Sequence, residues 1–256
     1  MLVSALLMLV VLLAISVPIA AVMGVLGLAL NQFYSSMPLY RAMGEILWNS
    51  NSEYILIAIP LFVMLGEILL RSGIAERVYN AIAQWLSWLP GGLMHANIGT
   101  CAMFAATSGS SVATAATVGL VALPQIEQRK YDERLFLGTL AAGGTLGILV
   151  PPSINFILYG LLTNTSVPRL YLAGMVPGII LASLFMLYVL VKCLITPSQG
   201  GLKLQTTWRK RLYSLKDLVA PLFIFLVVVG SIYAGWATPT EAASLGVLAA
   251  LLLAAW

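Results

Sequence analysis

The stretch GGTLGILVPPS, residues 143–153, interrupts an apolar run that is otherwise long enough to cross a membrane. Its two prolines have no N–H group, so the carbonyls of Gly147 and Ile148, four residues earlier, lose their helical donors. Val150 precedes a proline, which disfavours the helical backbone conformation at that position. The stretch therefore predicts a helix that stops, leaves carbonyl groups without helical donors, and restarts after Ser153. The alternative is a proline kink whose carbonyls are satisfied by neighbouring helices.

A second interruption, ATSGSSV at residues 106–112, places four hydroxyl groups around a glycine within the apolar segment 92–123. Unsatisfied polar groups are costly in hydrocarbon, which favours a bound partner at this point. Hydroxyl oxygens and the carbonyls of an unwound turn are neutral ligands that suit Na⁺, while the helix starting after the turn directs its positive end toward an anion. The alternative is a serine-rich patch that packs helices closely.

The composition is that of a membrane protein. Of 256 residues, 61% are hydrophobic and only 9% are charged, whereas about a quarter of the residues of a soluble domain are charged. About 20 apolar residues cross a hydrocarbon core of about 30 Å, and residues 1–30, 54–70, 135–162 and 170–195 approach or exceed that length. We expect an all-α polytopic membrane protein. No Lys or Arg precedes the first run, so we interpret it as a retained helix with Pro18 as a kink or break, and not as a signal peptide.

Two clusters of basic residues predict the orientation, because cytoplasmic loops are enriched in Lys and Arg. Two crossings, 135–162 and 170–195, separate the clusters, so both are predicted to be cytoplasmic and the connection 163–168 to lie outside. The clusters consist of Arg129, Lys130 and Arg134, and of Lys192, Lys203, Arg209, Lys210, Arg211 and Lys216.

The segment 92–123 lies between Arg71 and Arg77 on one side and the Arg129 cluster on the other. If both flanks are cytoplasmic, the segment enters and leaves the membrane on the same side. This predicts a re-entrant helical hairpin whose tip is enclosed by protein or faces a water-filled cavity. The alternative is one kinked spanning helix, but a length near 30 residues suits two half-depth helices better.

The residues before the hairpin predict a helix in the membrane interface. Residues 74–89 alternate polar and apolar side chains with helical spacing. Trp85 and Trp88 are expected to anchor this helix at the membrane surface. Glu67 and Arg71, four residues apart, have the spacing of a helical ion pair.

The last part of the chain predicts two further helices. One is expected over Asp217 to Tyr233. The next begins at the sequence Thr238-Pro239-Thr240-Glu241, which is a capping box with proline at the first helical position. An apolar run then continues to Trp256.

Enzyme signatures are absent from the sequence: it has no paired carboxylates at a plausible site, no GxSxG, no Walker sequence and no metal-ligand cluster. Cys101 and Cys193 lie in apolar runs and are interpreted as small packing residues. The single histidine, His95, is interpreted as a packing or hydrogen-bonding residue, and a proton shuttle is the alternative. An intramembrane hydrolase with a serine nucleophile would lack a base, because His95 lies at the opposite end of its helix. The basic residues lie in loops beside apolar spans, so no nucleic-acid partner is expected.

Four stretches of the chain resemble the DctM family, the large membrane subunit of tripartite ATP-independent periplasmic (TRAP) transporters. They are IPLFVMLGEILLRSGIAERVYNAIAQWLSWLPGGLMHANIG from Ile59, SGSSVATAATVG from Ser108, GGTLGILVPPSINFILYG from Gly143 and GWATPTEAASLGVLAA from Gly235. The resemblance implies an elevator-type transporter fold with a re-entrant hairpin and a discontinuous helix. It also implies sodium-driven import of organic anions, such as C4-dicarboxylates or sialic acids, across a bacterial or archaeal inner membrane.

The resemblance further implies partners and site residues. A small membrane subunit of the DctQ type and a periplasmic binding protein of the DctP type would work with this chain, and Na⁺ would be the coupling ion in place of any cofactor. The first sodium site would use Ser108, Ser110, Gly147, Val150 and Pro152. The carbonyl of Gly147 is also one of the two that lose their helical donors to the prolines. The other belongs to Ile148, which is not among the residues that the resemblance implies. Ser111 and Asn155 are our candidates for contacts with the substrate.

The family's large subunit contains two inverted repeats, and this chain is expected to hold the first repeat and the start of the second. The expected divisions are scaffold helices and the interfacial helix at 1–91, the hairpin at 92–123, the discontinuous transport-domain helix at 124–163, and further helices at 164–256. The chain would then be a fragment, a truncated product, or one of two polypeptides, and alone it would not transport. The alternative function is a membrane scaffold that only docks partner subunits.

Overall fold

The computed structural model describes residues 1–35, 39–202, 204 and 206–255, so Lys203 and Trp256 lie outside the described residues. All regular elements in this part of the chain are helical, as the composition predicts. The α-helices are α1 Leu2–Ala14, α2 Ile19–Tyr34, α3 Leu39–Asn51, α4 Ala58–Arg71, α5 Ile74–Leu86, α6 Leu93–Ser108, α7 Ser111–Ala122, α8 Pro124–Arg129, α9 Glu133–Leu149, α10 Ile154–Thr163, α11 Val167–Ile195, α12 Trp208–Ser214, α13 Lys216–Phe225, α14 Ser231–Tyr233 and α15 Pro239–Ala255.

The first compact unit, Met1–Glu53, begins with two helices instead of one long helix. Ser16 adopts a left-handed conformation with φ of 59°, and Pro18 follows two residues later. The hydroxyl groups of Ser4 and Tyr34 lie 2.9 Å apart, which places the start of α1 beside the end of α2. Of the two outcomes expected at Pro18, a kink or a break, the structure shows the break, and the chain reverses direction there.

The second compact unit starts at Tyr54 and contains the long apolar helices. Tyr54–Arg71, Val167–Ile195 and Trp208–Tyr233 are each long and apolar enough to cross a membrane. The pair α9 and α10 forms a fourth such segment, bent by 40° at its break. The helix predicted from Asp217 belongs to a longer segment that starts at Trp208, and a π-helical turn, Leu226–Gly230, interrupts it. These segments fit a multi-pass membrane protein.

Helices α6 and α7 form a hairpin and not one kinked helix. Gly109 turns the chain between them, with φ of 64° in the left-handed region that favours glycine. The hydroxyls of Ser108 and Thr114 lie 3.2 Å apart and join the two helices at the tip. At the other end, the Leu93 amide donates to the Tyr131 hydroxyl at 3.0 Å. The entrance of the hairpin therefore lies beside the residues that follow its exit.

The two basic loops lie at the same end of the second unit. The amide of Leu202 donates to the carbonyl of Arg129 at 2.8 Å, and the amide of Asp132 donates to the carbonyl of Gln199 at 3.4 Å. These bonds connect the loop after α8 with the loop after α11. An arrangement of this kind is required if two crossings separate the clusters, as the charge pattern predicts.

Helix α5 is amphipathic, as predicted. Its apolar side chains Ile74, Val78 and Ile82 are buried, whereas Glu76, Arg77 and Asn80 are exposed. Trp88, just beyond its end, is 62% exposed. Trp85 is half-buried, and its indole N–H donates to the Arg211 carbonyl at 3.1 Å. That contact ties α5 to α12.

Two local predictions at helix ends are confirmed. Glu67 and Arg71 form an ion pair with an N–O distance of 2.6 Å. At the start of α15, the backbone amide and hydroxyl of Thr238 both donate to Glu241 Oε2 at 2.8 Å. The amide of Glu241 donates back to the Thr238 hydroxyl at 3.4 Å, which completes the capping box.

Candidate functional site

The break between α9 and α10 is a short extended segment. Val150 leaves the helical conformation with ψ of 122°, and Ser153 remains extended before α10 begins. The Ser153 hydroxyl donates to the Ile148 carbonyl at 2.8 Å. Of the two carbonyls that lose their helical donors to the prolines, the one at Ile148 is thus satisfied inside the chain. The Gly147 carbonyl has no helical donor, because the residue four positions later, Pro151, has no N–H group.

The tip of the hairpin is held by its own hydroxyl groups. The buried Ser108 hydroxyl donates to the Phe104 carbonyl at 3.0 Å. The Ser110 hydroxyl accepts from the Ala113 amide at 3.3 Å and so caps the start of α7. The Ser110 oxygen keeps a lone pair beyond this bond, because a hydroxyl oxygen has two. The Ser108 oxygen also lies 3.2 Å from the Thr114 hydroxyl and accepts from the Ser110 amide at 3.5 Å, so it would have to give up one of these contacts to bind an ion.

The structure brings the two breaks together. The amide of Ile154 would bond to the Val150 carbonyl in a continuous helix, but it donates instead to the Gly109 carbonyl at 3.2 Å. The approach is close, since a methyl group added at Gly109 would lie 2.7 Å from the Pro152 carbonyl oxygen. Glycine is required at this position both for the space and for the positive φ.

A second close approach joins the tip to the face of α9. A methyl group added at Gly147 would lie 2.8 Å from the Ser111 amide nitrogen and 3.0 Å from the Ser110 carbonyl carbon. One turn earlier, a methyl group at Gly144 would lie 2.8 Å from the Ala115 side chain. The absence of side chains on this face of α9 lets the hairpin backbone lie directly against it.

The two candidate substrate contacts differ in their surroundings. The Ser111 hydroxyl oxygen is buried and has no hydrogen-bond partner within the described residues. It belongs to the first residue of α7, beside Gly147. Asn155 is exposed in the first turn of α10. A buried hydroxyl without a partner is the kind of group that a bound ligand or water satisfies.

A buried polar network, which was not predicted from the sequence, positions the hairpin. The Tyr79 hydroxyl donates to Asn97 Oδ1 at 3.0 Å, and Asn97 Nδ2 donates to the Thr139 hydroxyl at 2.9 Å. The Thr139 hydroxyl donates in turn to the Phe136 carbonyl at 2.6 Å. The network links α5, α6 and α9, and an asparagine inside an apolar helix was the available signal.

The structure supports the packing interpretation of His95. Its Nε2 lies 2.8 Å from the Pro90 carbonyl oxygen, at the start of α6, and the side chain is buried. Ser108 lies thirteen residues further along α6, which corresponds to about 20 Å of helix. No serine of the tip therefore has His95 as a base. Within the described residues, no group of three or more His, Cys, Asp or Glu side chains is placed to hold a metal ion.

Comparisons with known proteins agree with this architecture. Residues 6–256 match the family model described as "Tripartite ATP-independent periplasmic transporter, DctM component". The chain is 32% identical over 243 residues to the C4-dicarboxylate TRAP transporter large permease protein DctM of Vibrio cholerae, covering 94% of this chain and 52% of that protein. It is 32% identical over 241 residues to the isethionate TRAP transporter permease protein DctMQ of Oleidesulfovibrio alaskensis, covering 94% and 38%.

A third relative is the sialic acid TRAP transporter large permease protein SiaM of Vibrio cholerae, 34% identical over 204 residues, covering 78% of this chain and 47% of that protein. The chain spans about half the length, or less, of these curated relatives. All three are named as transporter permeases and not as enzymes. The chain therefore belongs to the DctM family of tripartite ATP-independent periplasmic transporters.

Proposed function

We propose that this chain provides the first sodium site of the large membrane subunit of a sodium-coupled importer of organic anions. The observation that carries the proposal is the direct contact between the hairpin tip and the break in α9–α10, through Ile154 and Gly109. A ligand held by both elements would fix their relative position. That is the role of a coupling ion in transporters built from discontinuous helices.

The chemistry of the contact fits Na⁺. The Gly147 carbonyl has lost its helical donor to Pro151, and the Val150 carbonyl has lost its donor because the Ile154 amide bonds elsewhere. The hydroxyls of Ser108 and Ser110 lie on the facing tip. All of these ligands are neutral oxygens, which suit a weakly polarising monovalent cation better than they suit a transition metal. Pro152, with its carbonyl against Gly109, completes the proposed set.

The same contact favours an anionic substrate. Helices α7 and α10 begin at Ser111 and Ile154, and the bond from Ile154 to Gly109 places these two starts close together. Helix N-termini carry partial positive charge and free N–H groups, so two of them together attract an anion. Ser111, whose hydroxyl has no partner among the residues that the structure describes, and Asn155 are the proposed polar contacts for a carboxylate.

The remaining parts of the proposal rest on the family. A small membrane subunit of the DctQ type would stabilise the scaffold, and a periplasmic protein of the DctP type would deliver the substrate. The basic end of the second unit would face the cytoplasm of a bacterium or archaeon, following the positive-inside rule. Import would follow an elevator mechanism, in which the hairpin and broken helix move together as sodium and substrate bind.

Uptake by the complete transporter tests the proposal. Reconstituted into liposomes with its partner subunits and binding protein, the Ser110→Leu variant should lose sodium-driven uptake, because leucine removes a ligand and fills the contact. Ser183→Leu is the matched control, since Ser183 is exposed and its hydroxyl, among the described residues, bonds only to the Ile179 carbonyl of its own helix. Unchanged sodium dependence in Ser110→Leu would overturn the site assignment. It would also favour the alternative of a docking scaffold.

A further inference from the structure

A groove of about 860 Å³ lies between α9 and α11, away from the hairpin tip. Its walls are apolar along most of their length, with Leu181, Leu184 and Phe185 contributed by α11. Gly138 lies in the opposite wall, on α9, and a methyl group added there would meet no atom within 4 Å. The groove is therefore open space lined mainly by apolar side chains, between two helices of candidate membrane-spanning segments.

One end of the groove is basic. Arg134, in the first turn of α9, and Lys192, in the last turn of α11, both line it. Neither is part of an ion pair among the described residues, where Glu67 and Arg71 form the pair that is seen. The carboxylate of Asp132 also lines this end, but it is engaged, since it accepts from the Leu135 amide at 2.8 Å. With two cationic side chains and one carboxylate, this end of the groove carries a net positive charge.

The dimensions match one leaflet of a bilayer. From Arg134 to Ala142 is eight residues, or about 12 Å of helix, and from Lys192 to Leu181 is eleven residues, or about 16 Å. Half of a hydrocarbon core of about 30 Å is about 15 Å. An acyl chain that starts at the basic end could thus lie in the groove along the full thickness of one leaflet.

The basic end also has an unsatisfied acceptor. Gln199 lines the groove, and its side-chain oxygen is buried and has no hydrogen-bond partner within the described part of the chain. A headgroup that carries hydroxyl donors would supply that partner. The positive charge, the length of the groove and this free acceptor all favour a ligand with an acyl chain and an anionic headgroup that carries hydroxyl groups.

We propose that this groove binds one anionic phospholipid, with an acyl chain along α9 and α11 and the phosphate between Arg134 and Lys192. Phosphatidylglycerol is the best probe, because its headgroup combines an anionic phosphate with free hydroxyls. Basic pockets between helices at a membrane surface recognise anionic headgroups in this way. The proposal does not depend on the sodium site, because the two places share no residue.

Native mass spectrometry of the purified chain in a neutral detergent tests the proposal. With phosphatidylglycerol and phosphatidylcholine supplied in equal amounts, one phosphatidylglycerol should remain bound preferentially. The double variant Arg134→Gln/Lys192→Gln should bind it about thirtyfold more weakly, given the attraction that each basic side chain contributes near an anionic lipid. Glycerophosphoglycerol, the headgroup without acyl chains, should not compete.

A groove-filling variant supplies a second measurement. Gly138→Leu places a side chain in the open space and should weaken the binding of both lipids, whereas Gly24→Leu, also on an open helical position, should not. The charge variant alters side chains that make no ion pair within the described part of the chain, so it still tests the proposal if Gly138→Leu yields no folded protein. Equal binding of the two lipids, unchanged binding by the charge variant, or competition by the free headgroup would each overturn the proposal.

Discussion

The amide of Ile154 donates a hydrogen bond of 3.2 Å to the carbonyl of Gly109, and this bond joins the restart of the broken helix to the tip of the hairpin. It replaces the bond to Val150 that a continuous helix would have made. Two interruptions that lie more than forty residues apart in the sequence therefore share one set of backbone groups. A change at the tip is expected to affect the start of α10 directly.

The contact between α9 and the tip predicts the effect of a single methyl group. Gly147→Ala should destabilise the chain by about 1–3 kcal/mol, because the new carbon would lie 2.8 Å from the Ser111 amide and backbone must move. Thermal unfolding in detergent measures this change. Gly119→Ala is the control: its methyl group meets no atom within 4 Å, and alanine favours a helix over glycine by up to about 1 kcal/mol. Equal stability of the two variants would contradict the close approach.

The buried polar network predicts that replacing Asn97 lowers the stability of the chain. Asn97→Leu leaves the Tyr79 and Thr139 hydroxyls without their shared partner, which should cost about 1–3 kcal/mol. Asn80→Leu, at an exposed position on α5, should change stability by less than about 0.5 kcal/mol. The comparison requires both variants in the same detergent. If Asn97→Leu were as stable as Asn80→Leu, the network would not hold the hairpin in place.

The hydrogen bond at the entrance of the hairpin predicts a structural role for the Tyr131 hydroxyl. Tyr131→Phe removes the acceptor of the Leu93 amide and leaves that amide unsatisfied, at a cost of about 1–3 kcal/mol. Amide hydrogen exchange at the start of α6 should become faster. Tyr159→Phe, at an exposed position, is the matched control and should leave exchange in α6 unchanged. Unaltered exchange in Tyr131→Phe would show that the bond does not fix the hairpin.

The same phenol predicts a dependence on alkaline pH. Burial raises the pKa of Tyr131 above its usual value. Its folded state therefore favours the neutral hydroxyl, so the stability it contributes is present below about pH 10, the usual tyrosine value, and is lost as pH rises beyond it. Thermal unfolding from pH 8 to pH 11 should show a smaller loss of stability in Tyr131→Phe than in the unaltered chain. An identical loss in both would contradict this assignment.

Both interruptions could be predicted from the sequence because their causes are local. A proline removes a donor wherever it occurs, and a glycine among hydroxyl residues breaks an apolar helix without help from distant parts of the chain. The capping box at Thr238 and the ion pair of Glu67 with Arg71 are local in the same sense. Each of these features depends on residues within about five positions of one another.

Features that depend on distant partners could not be predicted in this way. Pro18 indicates an interruption, but only the contact of Ser4 with Tyr34 shows that the chain reverses there. Trp85 is a residue type typical of the membrane interface, but its hydrogen-bond partner, the Arg211 carbonyl, lies 126 residues away in the sequence. In each case the packing of the chain selects the partner, and hydropathy alone does not encode it.

The most direct test of the sodium site is the thermal unfolding of the purified chain in detergent, titrated with NaCl at constant ionic strength against KCl. A ligand that binds only the folded state stabilises it by mass action, by about 2.7 kcal/mol at a hundredfold excess over its Kd. We predict that the unfolding temperature rises with NaCl but not with KCl, that Ser183→Leu retains this rise, and that Ser110→Leu loses it. An unfolding temperature that is the same in both salts, or a sodium-dependent rise that persists in Ser110→Leu, would contradict the account.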